Sequence, residues 1–223
     1  MVIFIIAGIL FFLTRVPAVQ DALFQRLAQN LISTAPNIFP EEDSLSALVC
    51  GSKSPLPHPT RAETCVMIKA GEETFIFDVG NKSIDNLRNW RVPLNQLNSI
   101  FISHLHSDHI AELPEIHMWN WIGTGRQSKL KVYGPEGINQ VLNGFTEAYS
   151  LDWKYRNDHH GDQFAPLKAA GFDGYEITDF SKPVYESNGI VITAFLVDHK
   201  PIDPSLAFKI EYKGRSIVLS GDT

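Results

Sequence analysis

Ser103-His104-Leu105-His106-Ser107-Asp108-His109 is the densest run of chemistry in the chain, holding three of its eight histidines within six residues. A compact apolar strand, Ser99 to Ser103, leads into it. His104 and His106 are two apart, so at the end of a strand their side chains point the same way. Ser107 is then placed to cap a helix that begins with Asp108 and His109. One strand-to-helix turn thereby delivers four ligands. Imidazole and carboxylate at this density suit Zn²⁺, with other first-row divalent metals as alternatives. With eight His and 13 Asp in 223 residues, a chance His-X-His-X-Asp-His match has odds of roughly 6 × 10⁻⁴.

Strands and helices alternate on either side of this turn. Leu45 to Cys50, Thr64 to Lys69 and Thr74 to Asp78 read as strands, the last two joined by the Ala70-Gly71-Glu72-Glu73 turn. Ile84 to Trp90 and Gly137 to Tyr149 read as helices, and Lys129 to Tyr133 as a strand. Three late strands follow: Ile190 to Val197, Leu206 to Tyr212 and Ser216 to Ser220, with Lys213-Gly214 as a hairpin turn. The pattern indicates an α/β layered domain.

Composition narrows the classes. A chain of 223 residues suits one domain with a short appendage, and 44% hydrophobic with 20% charged residues excludes a disordered chain. The net charge is −6, and Lys and Arg form no run of four or more. Nucleic acid is therefore a disfavoured partner and a small anionic ester the expected one. Two cysteines exclude a disulfide scaffold and a Cys-rich zinc module.

The first 18 residues read as a signal peptide or a short membrane anchor. Val2 to Leu13 is apolar apart from Gly8. Twelve helical residues span about 18 Å, short of a ~30 Å hydrocarbon core but suited to a secretory signal. Val16-Pro17-Ala18 offers a small-residue cleavage site, whereas Arg15 follows the run and no basic residue precedes it. A buried core helix is the competing interpretation. This places the protein at the cell envelope, exported or anchored, with membrane contact through residues 2–13 and the cytoplasm as the alternative. Residues 19–44 read as an amphipathic helix, with Val19, Leu23, Phe24, Leu27 and Leu31 at helical spacing, then a linker opened by Pro36 and Pro40. Residues 45–223 form the main domain.

The histidine segment resembles the signature of the metallo-β-lactamase superfamily. Phe75-Ile76-Phe77-Asp78-Val79-Gly80, Asp198-His199 after a strand, and Ser220-Gly221-Asp222-Thr223 are similar to its other motifs, in the same order. Gly51-Ser52-Lys53-Ser54-Pro55-Leu56-Pro57 and Val132-Tyr133-Gly134-Pro135-Glu136-Gly137 are most similar to the branch holding ribonuclease Z and the zinc-dependent arylsulfatases. The resemblance implies an αββα sandwich over residues 45–223 and two Zn²⁺. His104, His106 and His199 would hold one ion, and Asp108 and His109 the other. Asp222 would bridge them. Asp108 and Asp222 would thus serve a metal-bound hydroxide. Asp78 would orient the ligand imidazoles. The family's last His ligand lies beyond Thr223, so the resemblance implies a domain incomplete at its carboxyl end, with a sheet face left uncovered.

Other residues are weighed beside this set. His159-His160-Gly161 follows a helix, and in the resembling branch such a loop lines the mouth of the site. His117, with Trp119 and Trp121, is a candidate aromatic pocket wall or part of the core. His58 is assigned nothing. Cys50 and Cys65 lie on strands expected to pair, and are either a disulfide, if the chain is exported, or two buried thiols. The function expected first is a dinuclear zinc hydrolase of a sulfate or phosphate ester, arylsulfatase-like or phosphodiesterase-like. A ribonuclease Z-type tRNA 3′-processing endonuclease comes second, a β-lactamase third, and a non-catalytic metal-binding relic fourth.

Overall fold

A computed structural model describes Phe11 and residues 14–33, 38–40 and 43–223. Apart from Phe11, the apolar run Val2–Leu13 lies outside the described residues. Helix α1, Pro17–Ser33, follows the periodicity read from the sequence. Among the described residues no helix is long and apolar enough to cross a membrane.

Six strands form the first sheet in chain order: β1 (Leu45–Gly51), β2 (Cys65–Ala70), β3 (Glu73–Phe77), β4 (Leu97–Phe101), β5 (Leu130–Gly134) and β6 (Phe172–Glu176). The first three are an antiparallel meander, and β3 to β6 run parallel. Cys50 and Cys65 are joined in a disulfide that ties β1 to β2, with Cα atoms 5.0 Å apart. Four antiparallel strands form the second sheet, ordered β10-β9-β8-β7: β7 (Tyr185–Ser187), β8 (Ile190–His199), β9 (Ile202–Tyr212) and β10 (Arg215–Leu219). Lys213 and Gly214, both at positive φ (48° and 74°), make the two-residue turn between β9 and β10. Such a pair matches the twist of the strands it joins.

Alternation along the strands builds two cores. Met67 and Ile76 face the helices α2 (Ser83–Asn89), α4 (Leu113–Thr124) and α5 (Ile138–His160), against Ile84, Leu87, Leu113, Trp121 and Leu142. Their neighbours Ile68, Phe75 and Phe77 face the second sheet, against Ile192, Leu206, Phe208 and Ile210. Phe77 stacks on Phe101 at 5.0 Å, and Phe208 meets Phe101 edge-on at 5.6 Å. Each such ring contributes roughly 1.5–3 kcal/mol by leaving water. The layers are therefore helices, sheet, sheet. The inner face of the first sheet, which was expected to lie bare, is covered, because β7 to β10 are already in the chain. Exposed apolar side chains appear instead on the second sheet, at adjacent Phe195 and Leu196 near the end of β8 and at Val218 between half-buried Ile217 and Leu219.

Helices α4 and α5 and strands β6 and β7 depart from the sequence reading, the short β7 not having been anticipated. Helix α4 was not anticipated, although Leu113, Ile116, His117, Asn120 and Trp121 make a buried stripe at helical spacing. Polar His and Asn within the stripe disguised it. Helix α5 runs past Tyr149 to His160; its second half is mostly solvated and carries the i,i+4 pairs Arg156–Asp152 and Lys154–Asp158. Strand β6, Phe-Asp-Gly-Tyr-Glu, has weak strand propensity. Gly174 is there because α5 comes close: a Cβ would sit 2.0 Å from Asn139 Oδ1.

Candidate metal centre

The ends of β3, β4, β8 and β10 converge at one edge of the sandwich. Because β3 and β4 are parallel, Asp78 and Ser103–His104 leave the first sheet at the same end. Leu206 N donates to Ser103 O at 2.9 Å and fastens the second sheet to this loop. His199 ends β8, and Asp222 lies three residues beyond β10. The helix α3, Ser107–Ile110, follows at once, and Ser107 does not cap it. His106 occupies the cap position in extended conformation, and its ring is turned toward His104, with centroids 4.8 Å apart. Two backbone bonds, Val79 N to His109 O and Glu112 N to Val79 O, strap α3 to the end of β3. Gly80 permits this approach: a Cβ there would lie 2.1 Å from Asp108 O.

Two groups of ligand atoms result, each within 4.8 Å: His104, His106 and His199, and His104, His109 and Asp222. His104 Nε2 is 3.0 Å from His106 Nδ1. His109 Nε2 lies 3.6 Å from Asp108 Oδ2 and 3.7 Å from Asp222 Oδ2. These last two are too long for hydrogen bonds. They approach the ~3.4 Å that separates ligand atoms about 2.0–2.1 Å from a tetrahedral ion. His109 Nε2 and His199 Nε2 are buried and have no hydrogen-bond partner. A buried nitrogen without a partner is costly unless something else takes its lone pair. The donor set, three imidazoles on one side and imidazole with two carboxylates on the other, therefore fits two divalent ions, with His104 common to both groups and Asp222 grouped with His104 and His109. All six ligands expected from the sequence are thus brought to one place.

Asp78 organises the other side of these rings. At the end of β3, with φ 58°, it accepts Ser103 N on Oδ1 at 2.8 Å. Its Oδ2 accepts Ser103 Oγ at 2.8 Å and His109 Nδ1 at 2.9 Å. Burial, then the neighbouring His109, hold the His104 imidazole down to about 3. For His109, burial pulls down, but the Asp78 hydrogen bond and the charges of Asp78, Asp108 and Asp222 together raise it above the ordinary value.

Sequence reasoning missed two supporting residues. Ser103 stands directly before the histidine motif, which was its available signal. Glu112 reaches back from the start of α4, accepting Lys82 N at 2.5 Å and Ile84 N at 2.7 Å, and so caps α2. Burial raises its carboxyl above the usual range.

The remaining histidines sit apart from the two ligand groups. His159 and His160 are the last turn of α5 rather than a loop, His159 exposed and His160 half-buried. Burial, then the neighbouring His159, lower the His160 imidazole below its ordinary value. His117 and Trp121 are core residues, whereas Trp119 is on the outside with Arg88 stacked 4.8 Å from its ring centre. His58 accepts Thr60 N and Arg61 N in its loop.

This fold and donor set define a metallo-β-lactamase-fold protein, and its sequence likeness to ribonuclease Z puts it in that branch. Human tRNase Z, short form, superposes with a TM-score of 0.60 at 21% identity, over 79% of this chain and 68% of that one. The metallo-β-lactamase fold protein YhfI from Bacillus subtilis gives 0.58 at 18%, over 80% and 63%. Ribonuclease Z of Mycobacterium marinum is 33% identical over 175 residues, 78% of this chain, which spans 61% of that relative's length. Residues 48–223 match the family described as Anti-Pycsar protein Apyc1, and the chain belongs to that family.

Proposed function

We propose that the protein is a metal-dependent hydrolase of phosphodiester bonds, with ribonuclease Z-type cleavage ahead of sulfate-ester hydrolysis. The observation that carries it is the convergence of six ligand side chains around two buried imidazole nitrogens without partners. Resemblance to ribonuclease Z in sequence supports the phosphodiester over the sulfate ester. His104, His106 and His199 would hold one ion, Asp108 and His109 the second, with Asp222 between. Two divalent ions there would supply Lewis-acid chemistry, lowering the pKa of water and drawing charge from phosphoryl oxygens. Asp78 keeps the His109 ring turned with Nε2 inward. Asp222, whose side chain is 46% exposed, stands at the open side, where substrate arrives.

A small phosphodiester is the second reading, favoured by the −6 charge and the lack of a basic run. The test is a substrate panel on the full-length, metal-loaded protein: precursor tRNA, a bis-aryl phosphate, an aryl sulfate and a β-lactam. Cleavage of a phosphodiester with no sulfate turnover is expected. Turnover of the aryl sulfate alone, or full activity after metal removal, would end the proposal.

Ribonuclease-type chemistry favours the cytoplasmic location over the envelope, because RNA precursors are met inside the cell. The Cys50–Cys65 disulfide argues the other way, since such bonds persist in oxidising compartments. Fractionation of tagged full-length protein decides between them, with alkylation on lysis to trap any free thiols.

A further inference from the structure

We infer that Ser103 is a positioning residue: its hydroxyl relays the Asp78 carboxylate to His104, so that one buried carboxylate fixes the imidazoles of both candidate metal sites. The inference rests on the ligand assignment proposed above. It follows from counting protons. Asp78 Oδ2 takes two donors, His109 Nδ1–H directly at 2.9 Å and the Ser103 hydroxyl at 2.8 Å. The hydroxyl has one proton, and it is spent on Asp78. Ser103 Oγ is also 3.1 Å from His104 Nδ1. With its proton given away, the oxygen can only accept there, so Nδ1 of His104 carries the hydrogen. That leaves His104 Nε2 unprotonated, its lone pair on the ligand side, where it accepts from His106 Nδ1 at 3.0 Å in the metal-free protein. The same oxygen is 3.2 Å from His109 Nδ1, a secondary contact beside the direct bond to Asp78.

The burial makes the relay consequential. Ser103 is 3% exposed, and His104 and His109 are both 0% exposed. Water does not replace a lost partner easily at such depth. The carboxylate thus acts on His109 by a direct arm and on His104 by a hydroxyl arm. The two arms predict different sensitivities. Removing the hydroxyl breaks the path to His104 and spares the path to His109. Without an acceptor at Nδ1, the His104 proton is free to move to Nε2, where it occupies the ligand position.

The test begins with the metal-free 223-residue chain, so that it does not depend on turnover. Long-range ¹⁵N correlation spectra of the imidazoles are expected to give the Nδ1–H tautomer for His104 and for His109. In Ser103→Ala, His104 should shift toward Nε2–H, and His109 should stay as it was. Zinc titration against a competing chelator, read through the same ring nitrogens, should then weaken binding at His104, His106 and His199 by about 10- to 100-fold, the range for loss of a partner behind a ligand. Binding at His109 should change by less than about threefold, and Ser103→Thr should restore the first site. A wild-type His104 found as Nε2–H would overturn the relay, as would equal weakening of both sites in Ser103→Ala. The wild-type spectrum alone decides the proton placement even if a variant does not fold. If the relay passes and no ester is hydrolysed, the functional proposal fails and this one stands.

Discussion

Two regions of this molecule bury histidines, and they do so to opposite ends. At the sheet edge, His104 and His109 are fully buried with nitrogens turned toward one another and toward carboxylates. In the helix layer, His117 is also buried, at 1% exposure, among Trp121, Trp153 and Phe172, with ring centroids 4.8 to 5.7 Å away. Its Nε2 accepts Gly171 N at 2.8 Å. No carboxylate approaches it within hydrogen-bond reach among the described residues. Burial of a histidine is therefore not a mark of a site. The mark is convergence: several ring nitrogens aimed at one point, with acids beside them and with Asp78 holding the rings from behind. His117 is a flat, adaptable core side chain whose polar atom closes a backbone bond.

The largest expected effect separates these two regions directly. His104→Ala or His106→Ala should reduce metal affinity at that site by more than about a hundredfold, beyond the loss for an outer partner, and abolish ester hydrolysis with it. Metal analysis and rate are measured on the same preparation. His117→Gln should leave both unchanged. Retained metal in the first pair, or lost metal in the last, would erase the contrast.

In the helix layer the expected losses are of stability. Trp121 is 1% exposed, and its Nε1 donates to Pro166 O at 3.1 Å. Trp121→Ala should cost about 3–5 kcal/mol in denaturant unfolding, because it opens a large cavity. Bound zinc per folded chain should stay the same. A fall in zinc content with the fold intact would mean that the two regions are coupled.

The pH dependence of His117 sharpens the comparison further. Burial, with the Arg126 charge opposing protonation, holds its imidazole down to about 4, against an ordinary 6.5. The unfolded chain therefore binds more protons between these values. The contribution of His117 to stability is complete above pH 6.5 and is lost as pH falls toward 4, by about 3 kcal/mol in all. Unfolding free energies across this window should show a steeper fall for the wild type than for His117→Gln, which cannot titrate. Parallel curves would contradict the burial of an uncharged ring.

The smallest effect expected is on the solvated end of α5. The Arg156–Asp152 pair, 2.9 Å long with both side chains 42% exposed, should contribute no more than about 0.5 kcal/mol when tested by Asp152→Ala. That change should leave metal content untouched. A loss above 1 kcal/mol would mean that this end of the helix is packed rather than solvated.

Much of the candidate site was legible in the sequence because its ligands are crowded into short motifs. His104, His106, Asp108 and His109 fall within one turn, and the resemblance to the family's other motifs supplied Asp78, His199 and Asp222. Ser103 was passed over, although it adjoins the motif, because a serine says nothing until its neighbours in space are known. Helix α4 was hidden by its own packing: a helix buried on one face with His and Asn in the stripe loses the alternation of apolar and polar that reveals amphipathic helices. Strand β6 was hidden because Gly174 answers to the side chain of Asn139 rather than to strand propensity.

The sequence by itself determined the α/β alternation, the order of the motifs and the chemistry of the His104–His109 turn, each read from short runs of residues, while the family resemblance supplied His199 and Asp222. Tertiary structure alone decided that Asp222 comes to within 3.7 Å of His109, 113 positions earlier in the chain. It also decided that the second sheet covers Phe75, Phe77 and Phe101, and that His117 belongs to the core while His109 belongs to the site. The physical reason is that a side chain's hydrogen-bond partners, and the water it loses, are set by neighbours that pairing and packing bring from distant parts of the chain. Local spacing specifies which way a side chain points from its strand or helix, and leaves open what it meets.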